Sequence, residues 1–418
     1  MKLALKDLLR LATIGSVDDG KSTLIGRLLV DTRQLFDDQL DAVVAASEKR
    51  GVGDLDLSFV TDGLRAEREQ GITIDVAYRY ASTPTRKFII ADCPGHVQYT
   101  RNMATGASTA DLALVVLDVA HGLKEQTRRH LCIAALLGVH NLIVAVNKLD
   151  EAKWSQTAFQ GVADELETIA RELGFASMTI IPISALLGDN VVEPSANTPW
   201  YDGPTVIEAL EESDAGTWTR TGHGARLPIQ WVLRQPGGGR TYAGMVNGDS
   251  FRPGDVVTLL PANIRTAITA IHSGVKGRAE AGAGLSVDVK LADETDAGRG
   301  DMLASEPLPT VTNEFVATIC WFGEKPLVAG QRLRLKHTTK VTPVRVNTID
   351  GVVDIGTLKI DAGRQLATNE IGLATLRTAD PLVVDDYGDN RVTGSFVLID
   401  EVTNATVAAG MIGRATFL

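Results

Sequence analysis

The chain has 418 residues, of which 44% are hydrophobic and 22% charged, an ordinary composition for a globular protein of two or three domains. Its formal net charge of −11 excludes a broadly basic surface of the kind that coats nucleic acid, although a local basic patch can coexist with an acidic total. No apolar run approaches the roughly 18 residues of a membrane-spanning helix, and charges interrupt the first residues too often for a secretory signal, so export is not expected.

The first predicted elements are a strand, a glycine-rich loop and a helix. An apolar strand at 11–14 enters the segment GSVDDGKS at 15–22, and a helical apolar stripe leaves it. The spacing G-x-x-x-x-G-K-S is typical of loops whose backbone N–H groups bind nucleotide phosphates. Lys21 would reach the β- and γ-phosphate oxygens, Ser22 would bind Mg²⁺, and Thr23 would contact the α-phosphate.

The first two hundred residues alternate apolar runs with helical patterns. The runs are apolar on both faces, as expected for parallel strands covered on both sides, and they lie at 87–92, 111–119, 141–148 and 178–184. A helix is predicted before the last run, with an apolar stripe from Phe159 to Leu173 and Gly174 as its C-terminal cap. This pattern predicts a doubly wound α/β domain over residues 1–215.

A second nucleotide motif, D-C-P-G-H, follows the predicted strand at 87–92. Asp92 would reach Mg²⁺ through a water, and the Gly95 N–H would sense a γ-phosphate. His96 is predicted to position the attacking water, because its imidazole can accept from or orient a water that faces the γ-phosphate. The alternative for a single histidine is a structural hydrogen bond.

Two further motifs, N-K-L-D and S-A-L, also follow predicted strands. Asp150 can accept from both N1–H and the 2-amino group of guanine, which adenine lacks, while the stem of Lys148 packs on the base. The Ala185 N–H could meet the guanine O6. Four motifs in this order predict a site for GTP rather than ATP.

The interval between Ser22 and Asp92 is longer than a minimal GTPase needs, and it contains the segment at 62–80. Thr73 within it could reach Mg²⁺ and the γ-phosphate, so that GTP would order the segment and GDP would release it. The simpler interpretation is an amphipathic surface helix, LRAEREQ, followed by an edge strand, and both can hold.

The candidate GTP-binding residues all lie in these four motifs: Gly15, Ser16, Val17, Asp18, Asp19, Gly20, Lys21, Ser22, Thr23, Asp92, Cys93, Pro94, Gly95, His96, Asn147, Lys148, Asp150, Ser184, Ala185 and Leu186. His96 is the candidate catalytic residue, and the candidate Mg²⁺ ligands are Ser22, Thr73 and Asp92. Asp18 and Asp19 add negative charge beside a triphosphate, which suggests that one of them binds a cation or a water.

The pattern changes after about residue 190. A short helix, TVIEALEE, precedes a predicted linker at 213–226, and short strand-like runs separated by turn signals follow. We expect two all-β barrels or sandwiches, at 216–308 and 309–418, divided where two prolines interrupt the pattern near 305–314.

The three cysteines, Cys93, Cys132 and Cys320, lie far apart and form no C-x-x-C pair. A reducing cytoplasm fits this usage best. Cys93 and His96 form an isolated C-x-x-H, which has no second ligand pair to complete a zinc site.

The motifs resemble those of the translational GTPases and, within them, the family of GTPase subunits of bacterial ATP sulfurylase. The segments that carry the resemblance lie at 15–29, 67–80, 94–108, 126–130, 147–150 and 390–412. The resemblance implies a GTPase domain joined to two β-barrels, with GTP or GDP and Mg²⁺ as cofactors.

The resemblance also implies an activity and a partner. GTP hydrolysis on this chain would accompany the transfer of AMP from ATP to sulfate on a separate small subunit, in a heterodimer or higher assembly that forms adenosine 5′-phosphosulfate and pyrophosphate. No second phosphate loop follows the barrels, so adenylylsulfate kinase activity is not expected from these residues.

The main alternative is an elongation factor that carries aminoacyl-tRNA. It is favoured by Arg332, Arg334 and Lys336, which alternate with leucines and would share one strand face. The same residues could be a solvated strand face or dock a protein. A third possibility is a regulatory GTPase whose hydrolysis drives no second reaction.

Overall fold

The computed structural model describes residues 8–32, 57, 73, 75–214, 222–234 and 239–414. The chain divides into two compact units, of which the first ends at residue 216 and the second begins at residue 217. None of the helices in these described ranges is long and apolar enough to cross a membrane.

The first unit contains a six-stranded sheet in the order β2-β3-β1-β4-β5-β6. Its strands are β1 (Leu9–Gly15), β2 (Ala77–Ser82), β3 (Lys87–Asp92), β4 (Leu112–Asp118), β5 (Asn141–Asn147) and β6 (Ser177–Pro182). All neighbours are parallel except β2, which runs antiparallel to β3 at the edge. The doubly wound sheet is therefore confirmed, and β2 is the predicted edge strand; the predicted helix LRAEREQ lies outside the described residues.

Helices cover the sheet between these strands. They are α1 (Lys21–Asp31), α2 (Thr100–Ala107), α3 (Glu125–Leu136), α4 (Gln156–Glu172) and α5 (Val206–Glu212), with a 3₁₀ turn at Val97–Tyr99. Helix α4 bears the predicted apolar stripe, and Gly174 follows it with a φ of 74°, as a C-terminal cap requires. Thr205 and Glu208 form a capping box at the start of α5, the short helix predicted from TVIEALEE.

The arrangement of the strands positions the site. Every residue of β4 is buried, because helices cover both faces of the parallel sheet. The parallel strands all end at one edge, so residues that follow β1, β3, β4, β5 and β6 meet there. The four predicted nucleotide motifs follow four of these five strand ends.

The second unit begins with a sheet in the order β10-β7-β15-β11-β12-β14-β9-β8, with β13 paired to β12. Its strands are β7 (Ala225–Pro228), β8 (Trp231–Arg234), β9 (Arg240–Met245), β10 (Asn247–Gly248), β11 (Val256–Leu260), β12 (Ile264–Ser273), β13 (Lys276–Gly277), β14 (Ser286–Leu291) and β15 (Met302–Ala304). Strand β7 includes the last two residues of the predicted linker, because they pair with β10, a contact that has no local signature.

A second sheet follows in the same unit and closes into a barrel. Its strands are β16 (Thr310–Trp321), β18 (Arg332–His337), β19 (Lys340–Asp354), β20 (Lys359–Asp361), β22 (Ile371–Val384), β23 (Ser395–Ile399) and β24 (Thr406–Ile412). Two further short strands, β17 (Leu327–Val328) and β21 (Gln365–Leu366), pair with each other in a separate two-stranded sheet. The ladder β18-β23-β24-β16-β22-β19 is closed by pairing of β18 with β19. A β-barrel after the α/β domain is therefore confirmed.

The two sheets have separate cores, around Leu227 and Val289 in the first and around Ile319 and Leu376 in the second. Arg226 of β7 joins them, since its guanidinium binds the Asp385 carboxylate at 3.0 and 3.1 Å in a buried bidentate pair. The two sheets meet where the prolines interrupt the sequence pattern, while the division into domains at 216–308 and 309–418 stays a prediction.

Candidate nucleotide-binding site

The glycine-rich loop connects β1 to α1 and is fixed by close backbone approaches. Gly20 has a φ of 89°, and a Cβ atom there would lie 2.1 Å from Nδ2 of Asn147. Gly15 is equally restricted, because a Cβ atom would lie 2.8 Å from the Val116 carbonyl oxygen. Only glycine permits both approaches, which leaves the N-terminus of α1 open toward a ligand.

The side chain of Asp19 is buried inside the loop and is hydrogen-bonded there. Its side chain is 1% exposed, and its carboxylate accepts from the Ser16 N–H at 3.0 Å and from Lys124 Nζ at 2.6 Å. Burial raises the pKa of Asp19, and the bonds from Lys124 and Ser16 oppose that rise. The cation that Asp19 contacts is therefore the Lys124 ammonium, whereas Asp18 is exposed, with a φ of 68°.

Helix α3 is held against the loop by two side chains that the sequence reasoning missed. Lys124 precedes the helix and binds Asp19, and the Thr127 hydroxyl lies 3.1 Å from that of Ser16. The stretch QTRRH contains Thr127 and carried the family resemblance, but its spacing has no phosphate-binding signature.

The loop lysine lies between two predicted Mg²⁺ ligands. Lys21 Nζ binds the Asp92 carboxylate and donates to Thr73 Oγ1 at 3.1 Å, and all three side chains are buried. Ser22 and Thr23 are half-buried in the first turn of α1. The structure thus brings Thr73 next to the first two motifs, while the rest of 62–72 lies outside the described residues.

The D-C-P-G-H loop packs directly on the phosphate loop. A Cβ atom on Gly95 would lie 2.5 Å from the Gly15 carbonyl oxygen, so this position also requires glycine. Burial raises the pKa of Cys93 to about 12, which keeps its thiol protonated and unreactive. Among the described residues, no group of three or more His, Cys, Asp and Glu side chains is placed to hold a metal ion.

His96 is half-buried at the end of that loop. Its Nδ1 accepts from the Gln98 N–H at 3.3 Å, and the Tyr99 ring lies 6.0 Å away between centroids. A neutral imidazole whose Nδ1 accepts carries its proton on Nε2. In the neutral ring, Nε2 is therefore the nitrogen that can donate a hydrogen bond.

Asn147 connects three of the four motifs. Its amide donates to the Asp19 carbonyl oxygen at 2.9 Å and accepts from the Ala185 N–H at 2.9 Å. Ser184 Oγ accepts from the Leu187 N–H, which shapes the loop around Ala185 and the exposed Leu186. The described structure therefore brings the strand-end motifs together, with Asp150 half-buried beyond β5.

Asp118, the last residue of β4, is a second feature that the sequence reasoning missed. Its carboxylate lies 3.0 Å from Lys148 Nζ and 3.1 Å from His121 Nδ1. Burial opposes its ionisation, but hydrogen bonds from Lys148, the Ala120 N–H and His121 outweigh burial and lower the pKa of Asp118. The only sequence signal was an acidic residue at the end of an apolar run.

Two family models match the chain. The elongation factor Tu GTP-binding domain matches residues 6–234, and the GTP-eEF1A C-terminal domain-like model matches residues 314–413. The first model covers the four motifs and all six strands of the first sheet, and the second covers most of the barrel.

Full-length relatives narrow the family. A protein named sulfate adenylyltransferase subunit 1 from Laribacter hongkongensis is 47% identical over 98% of this chain and 86% of its own length, and the one from Aeromonas salmonicida is 47% identical over 97% and 87%. The bifunctional enzyme CysN/CysC of Mycobacterium tuberculosis is 50% identical over 97% of this chain and 67% of its own length. The chain, whose first 234 residues match the GTP-binding domain of elongation factor Tu from residue 6 onward, belongs to the sulfate adenylyltransferase subunit 1 family.

Proposed function

We propose that the chain is the GTP-hydrolysing subunit of an ATP sulfurylase, in which GTP hydrolysis accompanies the adenylylation of sulfate. The observation that carries the proposal is the Asn147 amide, which ties the guanine-recognition loops to the phosphate loop in a member of this family. A guanine nucleotide bound there would contact all four motifs. Exchange of GTP for GDP would therefore change the contacts of every loop at this edge of the sheet.

The residues around Lys21 fit both a triphosphate and Mg²⁺. Lys21 lies at the N-terminus of α1, where a phosphate is stabilised by backbone N–H groups and by the helix dipole. Thr73 Oγ1 and an Asp92 carboxylate oxygen both accept from Lys21 Nζ, so these two oxygen atoms lie close together, and oxygen atoms are the ligands that Mg²⁺ prefers. In this proposal Ser22, Thr73 and Asp92 hold Mg²⁺, which would neutralise phosphate charge.

Asp150 selects guanine and His96 orients the attacking water. The carboxylate of Asp150 would accept two hydrogen bonds from guanine, and Lys148 would pack on the base. His96 would hold the water by donation from Nε2, because its Nδ1 already accepts from Gln98.

The partner in this proposal is the small adenylyltransferase subunit. Forming adenosine 5′-phosphosulfate from ATP and sulfate is uphill, so a second hydrolysis is a reasonable source of free energy. The sequence contains one phosphate loop, and its motifs select guanine, so the ATP chemistry would belong to the partner. We place the complex in the cytoplasm, since all three cysteines are buried and none of them forms a disulfide.

The elongation-factor alternative receives less support. Arg332, Arg334 and Lys336 do lie on one strand face, because Leu333 and Leu335 between them are buried. However, two relatives that are 47% identical to this chain over nearly its full length are named sulfate adenylyltransferase subunit 1.

The test is to purify the chain with its native partners and to measure pyrophosphate released from ATP and sulfate. We expect GTP to stimulate the release, and a non-hydrolysable GTP analogue to stimulate it less. Co-purification of aminoacyl-tRNA without any such stimulation would support the elongation factor instead, and GTP hydrolysis without either result would leave the regulatory GTPase.

A further inference from the structure

Asp118 occupies the sheet edge next to the guanine-recognition motif. It is in register with Asn147 on the neighbouring strand, so the end of β4 lies beside the start of N-K-L-D. Its side chain is 4% exposed, and Oδ1 accepts from the Ala120 N–H at 2.8 Å. The other oxygen, Oδ2, faces Lys148 and His121. The hydrogen bond from the Ala120 N–H thus orients the carboxylate independently of its contact with Lys148.

Lys148 is the side chain that this carboxylate holds. Its backbone has a φ of 61°, in the left-handed region, and its side chain is 28% exposed. Among the described residues, Asp118 is the only carboxylate that forms an ion pair with it. Asp19, the other buried carboxylate nearby, is already paired with Lys124. Burial lowers the pKa of Lys148, but its hydrogen bond to Asp118 and the negative charges of Asp118, Glu151 and Asp19 together outweigh burial and raise the pKa overall.

We propose that Asp118 is a positioning residue for the guanine pocket and acts through Lys148. A free lysine must give up rotamer freedom when it packs on a base, and this loss weakens binding. Because Asp118 anchors the ammonium beforehand, the lysine stem forms a preformed wall for the base. This inference rests on the proposed binding of GTP at this site.

A positioning role for Asp118 should affect binding of the guanine base but not binding of the phosphates. Asp118→Asn keeps the shape and the acceptor for the Ala120 N–H but removes the charge that holds Lys148. We expect the dissociation constant for GDP to rise about tenfold. The affinity for inorganic tripolyphosphate with Mg²⁺ should stay within about twofold, since the phosphate loop is unchanged. Titration calorimetry measures both.

A double-mutant cycle distinguishes positioning from a general loss of structure. Lys148→Met should weaken GDP binding by a similar factor. In the Lys148→Met background, Asp118→Asn should cause no further loss of GDP affinity, because the ion pair between the two side chains is already absent. The matched control is Asp111→Asn at the opposite end of β4, where a buried carboxylate accepts from the Arg10 N–H. This variant should keep wild-type affinity for GDP.

Four outcomes overturn the inference: unchanged GDP affinity in Asp118→Asn, equal weakening of GDP and tripolyphosphate, additive effects in the cycle, or the same weakening in Asp111→Asn. If Asp118→Asn does not fold, Lys148→Met alone decides, and unchanged GDP affinity there overturns it. Wild-type protein that bound GDP no better than ADP would instead contradict the proposed function, so the two failures are distinguishable.

Discussion

Single side chains at the sheet edge perform separable tasks. Asn147 satisfies a buried carbonyl and a buried N–H in different loops, so its amide sets the distance between the phosphate and base halves of the site. Buried polar groups without partners cost free energy, and each loop therefore depends on the other for its geometry. Asp150 and His96, by contrast, are available for a ligand or a water.

Asp150→Asn should change which base is preferred. An amide presents one donor and one acceptor, so it no longer matches guanine but does match xanthine. We expect weaker GTP binding and tighter xanthosine triphosphate binding, by about tenfold or more in their ratio. Competition titrations with both nucleotides check this, and an unchanged ratio would remove Asp150 from base recognition.

His96→Ala should slow hydrolysis with little effect on GTP affinity. If the imidazole orients the attacking water, its loss raises the barrier by about 3 kcal/mol, which is roughly a hundredfold in rate. Single-turnover hydrolysis at saturating GTP is the measurement. A wild-type rate would leave His96 with a structural hydrogen bond only.

Among the elements, α3 is distant from the phosphate loop in sequence but contacts it through side chains. Lys124 and Thr127 at its start contact the loop residues Asp19 and Ser16. The helix also buries His130 one turn further on. A buried neutral imidazole makes the stability of this element depend on pH.

Because of His130, the free energy of unfolding is expected to decrease as the pH is lowered. Burial, followed by the charges of Arg129 and Lys21, lowers the pKa of His130 to about 3. Between about pH 6.5 and pH 3 the unfolded chain binds a proton that the folded chain does not, so stability falls as pH falls through this window. His130→Gln should reduce this slope by up to about 1.4 kcal/mol per pH unit.

Urea unfolding of the wild type and of His130→Gln between pH 7 and pH 5 measures the difference. His140→Gln, at an exposed position of the same unit, is the matched control and should leave the slope as it is. If the free energy of unfolding had the same pH dependence in all three proteins, His130 would not be a buried, neutral imidazole in the folded state.

At the scale of the whole molecule, the nucleotide site belongs to the first unit, and the second unit is held together by its own contacts. Arg226 binds Asp385 and also donates to the carbonyl oxygens of Ser305 and Pro307, which joins the two sheets of that unit. Leu260, Met302 and Val383 add an apolar contact between the same sheets.

Arg226→Met should destabilise the second unit by about 3–5 kcal/mol, because it leaves a buried carboxylate unpaired. Arg252→Met removes an exposed ion pair with Glu280, which water screens, and should have a much smaller effect on stability. The free energies of unfolding of the two variants are compared by denaturant titration. Equal stability of the two variants would contradict this reading of the Arg226 pair, and GDP affinity should be kept in both.

The sequence alone predicted the five parallel strands of the first unit, the helices α1, α4 and α5, and the order of the four motifs, because apolar periodicity and glycine positions act within a few residues. Strand β3 has the predicted bounds, and α4 and α5 lie where the patterns predicted them. Gly20 and Gly95 were expected from spacing, and their close contacts with Asn147 and Gly15 explain why no larger residue fits.

Only the tertiary structure revealed the partners of charged side chains distant in sequence. Lys124 lies 105 positions from Asp19, and Asp118 meets Lys148 because β4 and β5 are adjacent in the sheet. Closure of the barrel by β18 and β19 is likewise a property of the assembled sheet. Such contacts depend on which strands become neighbours, and a pattern within one segment contains no record of the register between segments.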